Sequence, residues 1–201
     1  MPMARLDKPP PVVVVVTGVA GSGKTTLGRA LAATLQLPIL DLDSLTNPLL
    51  DEITPTAGPH WLAGPLAERV RAGRYAALRA TAADIVAVGV GVVLVAPFTA
   101  ELAGGREWTA LRESLTPASP VVLYLAGPAE EFRARRVRRG DPRDHARDEV
   151  TPPQPHVPHV AIDATAATSD QVEVALAALA ADLVDEIDGQ EDACGRERGQ
   201  A

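Results

Sequence analysis

The 201-residue sequence predicts an α/β fold, a mostly parallel five-stranded sheet held between two helical layers. Three observations carry this expectation. Short runs of β-branched and aliphatic residues recur along the chain, each reading as a strand buried on both faces. Helical stretches separate those runs, so successive strands are joined by crossovers and lie parallel. A glycine-rich turn joins the first run to the first helix, and in such sheets ligands sit at the carboxyl ends of the strands.

The elements follow in order. Residues 1–11 are proline-rich and read as a flexible leader, with the folded domain spanning 12–187. Val12 to Val16 is an unbroken β-branched strand, and a helix follows from Lys24 to about Gln36, with Leu27, Leu31 and Leu35 at four-residue spacing. Pro38 ends it and Ile39-Leu40-Asp41 forms a short second strand. From Ser44 to about Val88 the pattern is helical, broken between Thr54 and Pro59. Val92 to Val95 is the third strand, Glu107 to Leu115 a short helix and Pro120 to Leu125 the fourth strand. A basic helix covers Ala129 to Arg139, an irregular segment runs to 158, Val160 to Asp163 is the fifth strand, and Ser169 to Ile187 closes the domain. Residues 188–201 are polar without periodicity and read as a disordered tail.

Composition narrows the function classes. Apolar residues make up 46% and charged residues 22%, which fits a globular domain rather than a disordered chain. The single cysteine, Cys194, excludes an internal disulfide framework. The net charge of −7 argues against a nucleic-acid partner, because phosphate neutralisation needs an excess of basic residues. Val12–Val16 is too short for a signal-peptide core. Ile85 to Phe98, carrying Gly89, Gly91 and Pro97, falls short of the roughly 20 residues of a membrane span. The expectation is a cytoplasmic protein without a membrane partner, and nothing in the sequence sets an oligomeric state.

The strongest motif is Gly18-Val19-Ala20-Gly21-Ser22-Gly23-Lys24-Thr25, which matches G-x-x-x-x-G-K-[ST] between a strand and a helix. Glycines let consecutive backbone N–H groups curl around phosphate oxygens, and the helix dipole adds positive potential. Lys24 reaches the β- and γ-phosphates of ATP, and the Thr25 hydroxyl is a ligand for Mg²⁺. Lysine is rare here. Only Lys8 and Lys24 occur against seventeen arginines, so a compact ammonium is retained where phosphate suits it better than a planar fork.

Asp41 and Asp43 end the second strand at the ligand edge, on the same side of the chain. One carboxylate there can help hold Mg²⁺ and the other orient or deprotonate an acceptor hydroxyl; helix capping by Asp43 is the competing structural reading. The third strand ends without an acidic residue, which disfavours a motor-type ATPase. In the basic helix and the segment after it, Arg139 and Arg143 flank Gly140 and Pro142, where a hinged lid over the nucleotide, about 136–158, can supply charge to the transferred phosphoryl group. His60, His145, His156 and His159 show no metal-ligand spacing. Trp61, Tyr75 and Phe98 read as packing residues first and pocket residues second.

With these residues on view, Gly18 to Thr26 resembles the phosphate loop of small P-loop kinases such as gluconate kinase and shikimate kinase. Asp41 to Leu50, Tyr75, Val93 to Phe98 and Arg139 to Asp144 resemble the AAA-type ATP-binding, zeta-toxin-like and chloramphenicol-phosphotransferase-like proteins. The similarity covers roughly residues 12–187. It implies a P-loop NTPase three-layer αβα sandwich, with Gly18 to Thr26 on the nucleotide, Thr25 and Asp41 at Mg²⁺, Asp43 at the acceptor hydroxyl, and lid arginines after the fourth strand. The chain departs from the pattern at His145-Ala-Arg-Asp148 and at its prolines 152–158. The leading expectation is an ATP-dependent kinase acting on a hydroxyl of a small molecule, with Lys24, Asp43, Arg139 and Arg143 catalytic. The alternatives are an ATP-dependent switch or slow ATPase acting through a protein partner, and a nucleotide binder without catalysis.

Overall fold

A computed structural model describes residues 10–53, 66–140 and 154–182 of the chain. Five parallel strands, β1 (Val13–Gly18), β2 (Ile39–Asp41), β3 (Val92–Val95), β4 (Pro120–Ala126) and β5 (Val160–Asp163), lie in the order β2-β3-β1-β4-β5. Every pairing is parallel, which makes the mostly parallel sheet of the sequence reading a wholly parallel one among the described strands. The helices are α1 (Lys24–Leu35), α2 (Leu42–Ile53), α3 (Ala67–Ala87), α4 (Thr99–Leu102), α5 (Gly105–Ser114) and α6 (Ala129–Arg139). A seventh, α7, is described over 168–182.

The β-branched run explains the layers. Side chains alternate across a strand, so Val13 and Val15 enter one apolar cluster with Leu78, Ala82, Val86 and Leu111 of α3 and α5. Val14 and Val16 enter the other, with Leu27 and Leu31 of α1, Phe132 of α6 and Ala175 and Leu179 of α7. β1 is buried on both faces because both layers need it, and its only natural filling is a continuous apolar run. β3 and β4 divide their side chains between the clusters in the same way. The result is a three-layer P-loop NTPase fold.

Close packing also dictates Gly28. A Cβ there would stand 2.4 Å from Val95 Cγ2, because α1 lies directly on β3. Gly28→Ala is expected to destabilise the domain by about 1–3 kcal/mol despite alanine's better helix propensity. Urea unfolding checks this, and an unchanged or raised midpoint would show that the α1–β3 contact gives way cheaply.

Several boundaries differ from expectation. β1 runs on to Gly18, so Thr17 is a strand residue, and its hydroxyl donates to the Pro97 carbonyl at 2.8 Å, tying the central strand to the end of β3. α2 starts at Leu42 rather than Ser44. The single helix expected over Glu107–Leu115 is preceded by α4, and α5 itself begins at Gly105. Too short to show periodicity, α4 left no sequence signal. The leader up to residue 9, the break at 54–59, the lid over 141–153 and the tail lie outside the described residues. Among the described residues no helix is long and apolar enough to cross a membrane.

Candidate active site

The phosphate loop leaves the central strand at the point where the connection to β2 passes beyond β3 and the connection from β3 to β4 crosses β1, the crevice where open α/β sheets bind ligands. Gly18, Gly21 and Gly23 have φ of 140°, 84° and 97°, values that side-chain-bearing residues rarely adopt. Space makes a second demand at Gly21, where a Cβ would lie 2.5 Å from the Phe132 carbonyl of α6. Gly23 stands at the N-cap of α1 and offers no side chain to the helix's first amides, which suits a phosphate as their partner. Ser22 is buried in the loop, and among the described residues its hydroxyl has no hydrogen-bond partner.

Lys24 Nζ donates to the Val19 carbonyl at 2.7 Å, folded back over its own loop. The Thr25 hydroxyl donates to Asp41 Oδ2 at 2.8 Å, so the first turn of α1 and the end of β2 meet through these two side chains. Both supply hard oxygen donors of the kind Mg²⁺ takes. No three His, Cys, Asp or Glu side chains cluster among the described residues, so Mg²⁺ at Thr25 and Asp41 would draw its remaining ligands from phosphates and water, its usual habit. The donor set fits. Val19 and Ala20 are half-buried in the loop, and Thr26 faces solvent at the start of α1.

The two aspartates do not act as a matched pair at a strand end. Asp41 ends β2, and its Oδ1 accepts from the backbone N–H groups of Asp43 and Ser44 at 2.9 and 3.3 Å. The residue capping α2 is therefore Asp41, not Asp43. Asp43 sits in the first turn of the helix, its side chain 68% exposed, ion-paired with Arg74 of α3. Arg74 is only 12% exposed in its side chain. Its guanidinium also donates to Thr46 Oγ1 at 2.7 Å and Asn47 Oδ1 at 2.9 Å, both on buried residues of α2. Sequence reading missed Arg74, Thr46 and Asn47, because the contact joins two helices through residues as far as 28 apart in sequence and matches no motif.

Behind this cluster, Tyr75 Oη accepts from the Phe98 N–H at 3.1 Å, and the two rings meet edge-to-face with centroids 5.8 Å apart. Phe98 holds the left-handed conformation at φ 44°, turning the chain sharply after β3. Both rings are buried, which makes packing their role, as expected; Trp61 lies outside the described residues. Burial first, and the charge of Glu101 second, push the Tyr75 phenol up to about 12. Glu101, on α4, is buried, with Oε2 unpartnered among the described residues and Oε1 3.9 Å from Arg79 Nη1.

Burial raises the Glu101 carboxyl above its ordinary range, against smaller opposing effects that include Arg71 and Arg79. The folded state then binds this proton more tightly than the unfolded chain. Its contribution to stability is full below the usual glutamate range and is lost as pH rises through the folded value. Glu101→Gln, which stays neutral, is expected to flatten the decline in melting temperature across and above that range. An identical pH profile in the variant would show that Glu101 is not the group responsible.

On α6, Arg136 Nη1 donates to the Ala20 carbonyl at 3.0 Å, and Arg135 Nη1 lies 4.0 Å from where a Cβ of Gly23 would stand. These two half-buried arginines flank the loop. Arg139 is exposed in the last turn, before the C-cap Gly140, and Arg143 lies outside the described residues. The helical period decides which arginines face the loop. Arg135 and Arg136 follow Phe132, which anchors α6 in the core, by one turn.

Residues 13–152 match the AAA domain family. The chain belongs to that family. No curated protein matches it. Among solved structures, this AAA domain is similar to a gluconokinase from Sinorhizobium meliloti 1021, at 25% identity and TM-score 0.59, covering 90% of this chain and 97% of that one. It shares the fold of the Mycobacterium tuberculosis APS kinase (17%, TM-score 0.61, 86% and 99% covered). It likewise shares that of the Aquifex aeolicus shikimate kinase (14%, TM-score 0.55, 85% and 98% covered). The family, the fold and the kinase neighbours of the AAA domain together support nucleotide-dependent phosphotransfer in general.

Proposed function

We propose that the protein transfers the γ-phosphoryl group of ATP to a hydroxyl of a small molecule. The observation that carries this reading is the single edge of the sheet that joins the phosphate loop, the Thr25–Asp41 contact at 2.8 Å and the Asp43–Arg74 pair. Lys24 exchanges its bond to the Val19 carbonyl for β- and γ-phosphate oxygens, and the loop amides with the N-terminus of α1 hold the remaining charge. Thr25 and Asp41 would hold Mg²⁺, which would offset the phosphate charge.

Asp43 receives the acceptor. Its exposed carboxylate accepts a hydrogen bond from the acceptor hydroxyl, whose oxygen bonds to the γ-phosphorus as the bond to the β–γ bridging oxygen breaks. The proton passes to Asp43 and ADP leaves. Arg74 is a positioning residue: clamped to buried Thr46 and Asn47, it fixes the Asp43 carboxylate that would otherwise rotate freely. Arg135, Arg136 and Arg139 of α6, with Arg143 of the segment beyond, supply positive charge around the nucleotide.

The gluconokinase likeness supports a hydroxylated small molecule as acceptor. The testing experiment is ADP release from Mg·ATP with purified protein over a panel of sugar acids, polyols, shikimate, nucleosides and hydroxylated antibiotics. Turnover that rises with one acceptor class is the expected result; slow hydrolysis indifferent to every acceptor would turn the reading toward an ATP-driven switch.

A further inference from the structure

We propose that Arg136 holds the phosphate loop in its binding shape from outside, through a charged hydrogen bond to the Ala20 carbonyl, and so sets the affinity of the loop for nucleotide phosphates. The inference rests on the phosphotransfer reading and adds a positioning residue to that site. In a trans peptide the C=O and the N–H point in opposite directions. A loop that turns its N–H groups inward at phosphate oxygens therefore turns carbonyls outward, and those carbonyls need donors of their own. The Val19 carbonyl has two, the Ser22 N–H at 3.2 Å and Lys24 Nζ at 2.7 Å. It keeps the first when phosphate draws Lys24 away. The Ala20 carbonyl accepts from no backbone N–H among the described residues; its donor is Arg136 Nη1, at 3.0 Å and 116 residues away in sequence.

One side chain thus aims the trans peptide that joins Ala20 to Gly21. The N–H of that peptide, on Gly21, points away from Arg136 and donates to no backbone carbonyl among the described residues. It is a donor left for phosphate. A cationic donor at the carbonyl end of a peptide polarises it, which strengthens the N–H at the other end. Packing confines the loop at the same point. A Cβ on Gly21 would lie 2.5 Å from the Phe132 carbonyl and 3.1 Å from Arg136 Cγ, so the loop backbone rests directly on α6. Phe132 is buried in the core on that side of the sheet, and Arg136 follows it by one turn on the same helix face. Among the described residues Arg136 forms no ion pair with a carboxylate. The three arginines in the last turn of α6 all suit the helix dipole, but Arg138 and Arg139 do so from exposed positions. Of the three, Arg136 is the half-buried one, drawn inward onto the loop.

The test titrates the whole protein calorimetrically with Mg·ADP, a non-hydrolysable Mg·ATP analogue and Mg·tripolyphosphate, in the parent, Arg136→Met and Arg136→Lys. Methionine keeps a stem against Gly21 and removes the donor; lysine keeps a charged donor. Arg136→Met should weaken all three probes by a common factor of about tenfold, and Arg136→Lys should regain most of that loss. The ligand-free melting temperature should stay near the parent's in both. The Gly21 amide nitrogen resonance of the ligand-free protein should shift in Arg136→Met and return toward the parent position in Arg136→Lys. A loss confined to the ATP analogue would place Arg136 on the γ-phosphate itself, and a loss with both nucleotides but not tripolyphosphate would place it on the base. Either outcome overturns the proposal, as does unchanged affinity in Arg136→Met or an affinity that follows the melting temperature rather than the charge. If Arg136→Met does not fold, Arg136→Gln is compared with Arg136→Lys on the same probes, and equal affinities overturn the proposal. A common loss in Arg136→Met, without turnover of any acceptor by the parent, upholds the role of Arg136 and rejects phosphotransfer. Acceptor-dependent turnover with unchanged nucleotide affinity in Arg136→Met does the reverse.

Discussion

Lys24→Ala should lower Mg·ATP turnover by at least about 10²-fold, the usual loss when one preorganised charge at a reacting phosphate is removed. The fold should survive. Lys24 contributes a half-buried side chain whose Nζ rests on the Val19 carbonyl, and the apolar clusters that hold the domain together do not include it. Thermal unfolding of the variant should match the parent, separating loss of function from loss of structure. Lys24→Arg should recover little, because a planar fork in a loop closed by Gly21 against Phe132 cannot take the place of a compact ammonium. Undiminished Mg·ATP binding and turnover in Lys24→Ala would reject phosphate capture by this loop.

The second large effect is expected at Asp43. Asparagine keeps the size and the hydrogen bond to Arg74 but cannot accept the acceptor's proton, so kcat should fall by about 10²–10⁴. Arg74→Ala should lower kcat as well, by releasing the Asp43 side chain, which is otherwise 68% exposed. It carries a structural penalty too, because Thr46 Oγ1 and Asn47 Oδ1 each lose a donor, costing about 1–3 kcal/mol per buried group left unsatisfied. The double variant separates the two effects. If Arg74 acts through Asp43, Asp43→Asn with Arg74→Ala loses little more kcat than Asp43→Asn alone, whereas independent contributions multiply. Acceptor-dependent turnover unaffected by Asp43→Asn would remove Asp43 from the chemistry and favour the switch.

The clearest parts of the sequence were those whose physics is local. A run of β-branched residues has one comfortable environment, a strand covered on both faces, and Val13 to Val16 lie in β1 with their side chains shared between two clusters. The phosphate loop was equally plain, since its glycines are required by φ values set within a few residues. α6 carries its limits in sequence, from Pro128 at its N-cap to Gly140 at its C-cap. Asp41 and Asp43 were visible as a pair at the ligand edge, but their division of labour was not. Whether a carboxylate caps a helix or faces solvent depends on where that helix begins, and α2 begins two residues earlier than its apolar pattern shows.

What the sequence determined by itself is thus the α/β class, the central strand and the loop at its end, all products of side-chain period and backbone freedom. Tertiary structure decided the rest of the site. Arg74 reaches Asp43 across 31 residues, Arg71 lies over the ring of a tyrosine fixed by Phe98, and Arg136 meets Ala20 across 116. No local pattern encodes such contacts. They arise when separate helices dock on the two faces of one sheet, and the arginine that meets a carboxylate is the one that the packing turns toward it.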